Sequence, residues 1–200
     1  MAVPEIIAVT KDVALGTAAL VAATVSILGL RTWRRQLHGQ TQFAVAHKFV
    51  RAAYKVRDAF SFVRRRSFLS SENEAVEGSD TRDADGRFDE VKAYRRRWRV
   101  LESAFAELEV ESLEAEVIWG QVAIDALMKP IRIAVDELKW RLFEFTEAGR
   151  RELSHQDAQV LVGIRHKFLG AFDGKEDDLA VQVRVAMDAV DKWKVKYIRS

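Results

Sequence analysis

One short motif, Glu152-x-x-His155, has the residue types of a metal-dependent enzyme. On a helix this spacing puts a carboxylate and an imidazole on one face, which is how di-iron carboxylate bundles hold their metal ions. Those bundles need two such pairs, and the sequence contains a single pair whose Ser154 resembles a helix cap. The motif alone therefore does not predict a metal site.

Other catalytic signatures are absent from the sequence. It has no cysteine, which excludes a thiolate zinc site, a disulfide framework and a cysteine nucleophile. It has no glycine-rich phosphate loop, GxSxG, HExxH or EF-hand spacing. The remaining candidates are isolated histidines and a glutamate row typical of a solvated helix face: His38, His47, His166, Glu107, Glu111 and Glu114. The sequence predicts no enzyme, no metal and no cofactor.

The run Arg95-Arg96-Arg97-x-Arg99, interleaved with Tyr94 and Trp98, mixes basic and aromatic residues as nucleic-acid-binding segments do. On a helix, however, the four arginines spread over much of the circumference, and the two aromatic residues belong to an apolar stripe. We expect Arg99 to pair with its helical neighbours and the other arginines to be solvated. A nucleic-acid partner is therefore not predicted.

Positive charge is concentrated in one part of the chain. The net charge is +2, yet residues 31–66 carry ten basic residues and one acidic residue. Residues 67–200, in contrast, carry 21 basic and 27 acidic residues. A basic block of this kind favours a polyanionic partner, either a membrane surface or a nucleic acid.

An apolar segment precedes the basic block. Residues 13–30 are eighteen uncharged residues, VALGTAALVAATVSILGL. As a helix they reach about 27 Å, close to the thickness of the bilayer core. A cleavable signal peptide fits poorly, because the preceding residues include Glu5 and Asp12 and lack a positive bias. We predict a transmembrane helix at 13–30 after a short exported N-terminus at 1–12, with a buried core helix as the alternative.

Arginines directly after this segment determine the predicted orientation. Arg31, Arg34 and Arg35 act as a stop, and the excess of lysine and arginine on their side places the C-terminal body in the cytoplasm. The prediction is a single-pass protein of the cytoplasmic (inner) membrane with its N-terminus outside. Small residues recur every four positions on one face of the span and favour self-association, unless the helix is simply rich in alanine: Ala14, Ala18, Ala22 and Ser26.

Residues 31–66 are predicted to form a basic amphipathic juxtamembrane helix. Its apolar stripe is Ala46, Phe49, Ala53, Val56, Phe60 and Val63. Its basic residues could bind anionic lipid headgroups at the inner leaflet: Arg31, Arg34, Arg35, Lys48, Arg51 and Lys55. Alternatively the stripe packs onto the rest of the protein. The sequence leaves both alternatives open.

A wider pattern follows the apolar segment. It consists of Trp33, Arg35-Gln36-Leu37, Gly39 and Thr41, then Tyr54, Arg57-Asp58-Ala59 and Val63-Arg64. This pattern resembles that of uncharacterised bacterial single-span, membrane-anchored helical proteins. The resemblance implies the same topology, and since that family has no assigned activity it implies no mechanism.

The rest of the chain divides into a linker and a helical body. Residues 67–90 carry eight acidic and two basic residues among Ser, Gly and Asn, which predicts an acidic flexible linker. Apolar spacing over 91–200 predicts one helix from Val91 to Leu127, a kink or new helix at Pro130, a third helix capped by Ser154, and a last helix after a turn at 170–174. The predicted fold is all-α, with an antiparallel helical bundle or long coiled-coil-like hairpin as the body.

The favoured function is a membrane-anchored helical interaction or scaffold protein. Its predicted partners are the lipid bilayer and either another protein or a second copy of itself. The first alternative is a soluble helical nucleic-acid-binding or regulatory protein in which residues 13–30 form a buried core helix. The second is a small pore-forming or lysis-type membrane protein built on the small-residue face.

Overall fold

The computed structural model describes residues 3–68, 89–148, 157–170 and 177–198. All regular secondary structure in these ranges is helical, which confirms the all-α prediction. The helices are α1 (Val3–Val63), α2 (Glu90–Trp119), α3 (Gln121–Ala148), α4 (Asp157–Leu169) and α5 (Asp178–Ile198). The chain divides into two compact units, Met1–Ala44 and Val45–Ser200, and α1 contributes residues to both.

The predicted single helix from Val91 to Leu127 is wrong, because the chain breaks at Gly120. This residue has φ +84°, a left-handed conformation that glycine adopts at little cost. Its N–H donates to the carbonyl of Glu116 at 2.8 Å and closes the end of α2. Glycine therefore ends this helix where the apolar spacing suggested continuity.

Pro130 lies inside α3 and neither ends nor begins a helix. Proline has no N–H, so the bond that residue 130 would donate to the carbonyl four residues earlier is missing. Apolar residues on both sides of Pro130 are buried, including Leu127 and Ile131. Tertiary packing therefore keeps the helix continuous across the proline.

The second unit has a core to which all five helices contribute. Its buried residues include Phe49, Val56, Phe60 and Val63 of α1, Leu101 and Leu108 of α2, Ile124 and Leu138 of α3, Phe168 of α4, and Leu179 and Val190 of α5. Each member of the predicted stripe from Ala46 to Val63 is buried. The stripe thus packs into the helical body.

Pairs of contacts give the relative directions of neighbouring helices in this unit. For α1 and α2 the contacts are Lys48–Glu114 and Lys55–Glu107. For α2 and α3 they are Tyr94–Phe145 and Glu109–Arg132. For α1 and α5 they are Phe49–Trp193 and, one residue beyond the end of α1 and before the start of α5, Arg64–Asp177. In each case residue numbers rise along one helix as they fall along the other. These neighbours are therefore antiparallel.

Several predicted features lie outside the described residues. They are most of the acidic linker, the cap Ser154, the motif residues Glu152 and His155, and most of the turn at 170–174. Gly170 is described; it follows α4 with φ +83°, as expected for a helix-ending glycine.

Candidate interaction surfaces

The first unit exposes the apolar part of α1. Within Leu15–Val63 an 18-residue window has a mean hydropathy of 1.5, and none of that window is buried. Leu20 is 71% exposed and Ile27 is 67% exposed. The helix is long and apolar enough to cross a membrane, although core helices and signal sequences pass the same test of length and composition.

Three hydroxyl groups in and directly after the apolar part of α1 are hydrogen-bonded within the helix. Thr24 Oγ1 donates to the carbonyl of Leu20 at 2.8 Å, and Ser26 Oγ donates to that of Ala22 at 2.8 Å. Thr32 makes the equivalent bond to the carbonyl four residues earlier at 2.9 Å. These polar groups therefore do not depend on water.

Three members of the predicted self-association face are described. Ala18, Ala22 and Ser26 are exposed along one side of α1, while the side chain of Ala14 lies outside the described residues. Their small size leaves the helix backbone accessible to a second helix. Self-association through this face stays a prediction.

Basic and aromatic residues follow the apolar stretch. Arg31, Arg34 and Arg35 are exposed, and Trp33 between them is 57% exposed. Residues three and four positions apart lie on the same face of a helix, so the three guanidinium groups are on one side of α1. Tryptophan and arginine together at the end of an apolar helix are typical of a membrane–water interface.

The basic residues further along α1 face a row of glutamates on α2. Lys48 Nζ lies 3.1 Å from Glu114 Oε2, and Lys55 Nζ lies 2.6 Å from Glu107 Oε1. The two lysines and the two glutamates are each seven residues apart, two helical turns, so antiparallel helices bring both pairs into register. This shared spacing is the signal that sequence reasoning missed when it assigned the glutamates to a solvated face.

The electrostatic environment of the three basic residues differs. The hydrogen bond and charge of Glu114, with the charge of Glu111, raise the pKa of Lys48 above its ordinary 10.5. Arg51 is exposed between Lys48 and Lys55 and has no ion pair within the described part of the chain. Two of the three predicted lipid-binding residues of this unit are thus partly neutralised by α2.

A cluster of ionic groups joins the end of α1 to the start of α5. Arg64 Nη1 donates to Asp177 Oδ1 at 3.1 Å, and a second bond joins Arg64 Nη2 to Asp177 Oδ2. Arg64 Nε also donates to the carbonyl of Phe168 at 3.0 Å, and Arg141 Nη1 lies 3.6 Å from Asp177 Oδ2. Asp177 additionally caps α5 by accepting from the Ala180 N–H at 2.9 Å. Sequence reasoning did not single out this cluster.

Opposing effects act on the carboxyl group of Asp177. Burial raises its pKa by penalising the charged form. The hydrogen bonds from Arg64 and from the Ala180 N–H, together with nearby positive charge, outweigh burial. The pKa of Asp177 is therefore lowered below the ordinary 3.8.

Arg97 is buried, although the sequence predicted a solvated side chain. It is 1% exposed; Nη2 donates to the carbonyl of Ser67 at 2.7 Å, and Nη1 donates to that of Arg65. Its guanidinium carbon lies 4.2 Å from the ring centre of Phe68 and 5.0 Å from that of Phe62. The residue therefore fixes the chain after α1, and the arginine run does not form one exposed basic surface.

Metal-ligating groups are not clustered in the described ranges. No three His, Cys, Asp or Glu side chains there are placed to hold one ion. His38 is exposed next to Gln42, with 3.2 Å between their side-chain nitrogens, and His47 is also exposed. In comparisons with known proteins, no family model, curated protein or solved structure matches the chain.

Proposed function

We propose that the chain is a membrane-anchored helical interaction protein, with residues 13–30 spanning the bilayer and the unit from Val45 onwards binding a protein partner. The observation that carries this proposal is the complete exposure of the apolar window of α1. A soluble protein that used these residues as a core helix would bury them. An apolar helix that is exposed along its whole window instead fits a lipid environment.

The size of the apolar surface supports the same assignment. Seven large apolar side chains between residues 15 and 30 are more than half exposed: Leu15, Leu20, Val21, Val25, Ile27, Leu28 and Leu30. Moving them out of water is worth roughly 10–20 kcal/mol at ~1.5–3 kcal/mol per side chain. That is comparable with the whole stability of a typical domain, about 5–15 kcal/mol. The internally bonded hydroxyls of Thr24 and Ser26 meet the further requirement that polar groups in lipid be satisfied within the helix.

The proposed orientation has the N-terminus outside and the body in the cytoplasm. Arg31, Arg34 and Arg35 support it through the rule that positive charge stays on the cytoplasmic side. The same three exposed arginines are the proposed contacts with anionic headgroups, at about 1 kcal/mol each. Lys48 and Lys55 are secondary contacts in this proposal, because each already has a glutamate partner.

Exposed apolar side chains on the body support its role in binding protein. Val110, Leu113 and Val117 form one exposed stripe of α2, and Val122 follows at the start of α3. Val117 and Val122 are each 87% exposed. Contiguous exposed apolar residues on a folded domain are typical of protein–protein contact surfaces.

Membrane fractionation of the full chain tests the anchor. We expect the protein to stay in the membrane pellet through washes with 1 M salt and with alkaline carbonate, and to be released by detergent. Release by salt alone would overturn the proposal, because an electrostatically bound protein is screened at high ionic strength.

The absence of cysteine allows a direct test of orientation. In intact cells, a membrane-impermeant maleimide should label an Ala2→Cys chain and leave a Ser200→Cys chain unlabelled until the cells are permeabilised. The reverse pattern would overturn the orientation while leaving the anchor intact.

A further inference from the structure

The outer side of α3 has a stripe of residues that the body does not use. Its members alternate at spacings of four and three residues along the helix: Val122, Ala126, Lys129, Ile133, Asp136, Trp140 and Phe143. All seven are exposed, whereas the opposite side of α3 is buried. Residues at these spacings lie along one line of the helix, on which a second helix can pack side by side; five of the seven are apolar. The stripe extends over roughly 31 Å of helix, enough for about three heptads.

The residues of this stripe differ in type on the two sides of Ile133, its central member. Lys129 lies four residues before it and Asp136 three residues after it. The small residues Val122 and Ala126 occupy one end of the stripe, and the aromatic Trp140 and Phe143 occupy the other. Two copies of this helix crossing antiparallel at Ile133 would therefore place Lys129 of each beside Asp136 of the other. They would also place a small side chain opposite each aromatic ring, as close packing requires.

We propose that α3 pairs with α3 of a second copy in an antiparallel coiled coil centred on Ile133. The inference rests on the proposed function of the body as an interaction module and names its partner. A two-fold axis at Ile133 makes the contact isologous, so each copy supplies the same surface and the assembly closes as a dimer. Each dimer contains two Lys129–Asp136 pairs and two small-to-aromatic contacts at each end of the interface.

The charges of the stripe favour an antiparallel second copy over a parallel copy or an anionic membrane surface. A parallel pair would place Lys129 against Lys129 and Asp136 against Asp136, which is unfavourable at both positions. An anionic membrane surface would attract Lys129 but repel Asp136, so it would not match both charges of the stripe. Lys129 and Asp136 make no ion pair in the described part of a single chain, so both are available to a second copy.

Disulfide trapping in native membranes tests the register, since the full chain contains no cysteine of its own. We expect a chain with Val122→Cys, co-expressed with a differently tagged chain with Phe143→Cys, to form a mixed disulfide on mild oxidation. Ile133→Cys should cross-link to itself at the axis. Lys192→Cys, exposed on α5, measures random collision. Efficient self-linking of Val122→Cys, or mixed linking no greater than that of Lys192→Cys, would overturn the proposal.

Charge reversal tests the pairing itself. Lys129→Asp or Asp136→Lys should each lower the yield of Ile133→Cys dimer about tenfold, whereas the double variant should restore it because opposite charges again face each other. Lys192→Asp should leave the yield unchanged. Circular dichroism checks that every variant remains folded. Unchanged yields in the single variants, or failure of folded double variants to recover, would overturn the α3 pairing.

These outcomes separate the inference from the function on which it rests. A chain that resists salt and carbonate washes but forms no α3 dimer refutes the pairing alone. A chain that dimerises through α3 but washes off with salt refutes the membrane anchor and leaves the pairing intact.

Discussion

The two halves of α1 differ in the exposure of their apolar side chains and in the hydrogen-bond partners of their polar side chains. Before residue 44, apolar side chains are exposed and hydroxyls bond to their own helix, as Thr24 does to Leu20. After residue 45, apolar side chains such as Phe49 are buried, and polar groups such as Lys55 bond to other helices. Ser61 in the second half also bonds to the carbonyl of Arg57 in its own helix, so what distinguishes this half is the additional side-chain bonds to other helices. The surroundings of a helix can therefore be inferred from where its polar groups find partners.

The largest expected effect comes from placing charge in the first half. Val21→Asp combined with Val25→Asp should oppose membrane insertion by about 5–7 kcal/mol, because each central aspartate costs ~2.5–3.5 kcal/mol in a bilayer. The measurement is the fraction of chain that resists a carbonate wash. Val185→Asp, at a valine of similar exposure on α5, is the matched control and should remain membrane-bound. Retention of the double variant would show that these residues do not lie in lipid.

Two phenylalanines of α1 give the next test, because they lie six residues apart on either side of the unit boundary. Phe49 is 0% exposed and Phe43 is 49% exposed. Phe49→Asp should destabilise the body by at least about 4 kcal/mol through lost packing and a buried charge. That corresponds to a melting temperature lower by about 8–16 °C in detergent solution. Phe43→Asp should leave the body's melting temperature nearly unchanged, and equal losses would contradict the division of α1.

Asp177 provides a pH-dependent test within the second unit. Asp177→Asn keeps a capping side chain but removes the charge that Arg64 binds, so we expect a loss of about 2 kcal/mol at neutral pH. Because the folded-state pKa is lowered, this contribution is complete above the ordinary value of 3.8 and disappears as pH falls through the folded-state value. Denaturant titrations at pH 7 and near pH 3 should therefore show a smaller difference at low pH. The exposed Asp178→Asn is the control, and a pH-independent difference would be the contradictory result.

The smallest effect concerns the exposed ion pairs between α1 and α2. Lys55→Gln should lower the free energy of unfolding by less than about 1 kcal/mol, and 0.5 M salt should reduce the difference. Arg51→Gln serves as the comparison, because Arg51 has no ion pair within the described residues. Melting curves at two salt concentrations distinguish the variants. A loss that salt does not change would indicate a packing role for the aliphatic part of Lys55.

The helical class and most of the core could be predicted because apolar periodicity is a local property. Spacings of three and four residues placed Leu101 and Leu108 on one stripe, and both are buried. Arg97 lies on that same stripe, four residues before Leu101, yet its charge predicted a solvated position. Its burial depends on Phe62 and Phe68, which come from outside α2. A single helix pattern does not contain that information.

The candidate surfaces, too, could be predicted only where they depend on one helix and not on its contacts with other helices. The apolar residues of the first unit were recognisable from composition, because they form one continuous uncharged run in the sequence. The pairs Lys48–Glu114 and Lys55–Glu107 required knowing that α1 and α2 are antiparallel neighbours. The self-complementary order of α3 became visible only when its exposed side was known. Features that depend on which side of a helix is buried could therefore not be predicted before the fold was known.

The contact between α1 and α5 also has a consequence for biosynthesis. Tyr54 Oη donates to Asp191 Oδ1, and Lys194 donates to Tyr54 across 140 residues of sequence. At ~5–20 residues per second, roughly 7–30 s pass between the synthesis of α1 and that of its partner. During this interval Phe49, which packs on Trp193 in the folded chain, lacks that partner. This part of the apolar stripe of α1 is therefore open to wrong contacts until the last helix leaves the ribosome.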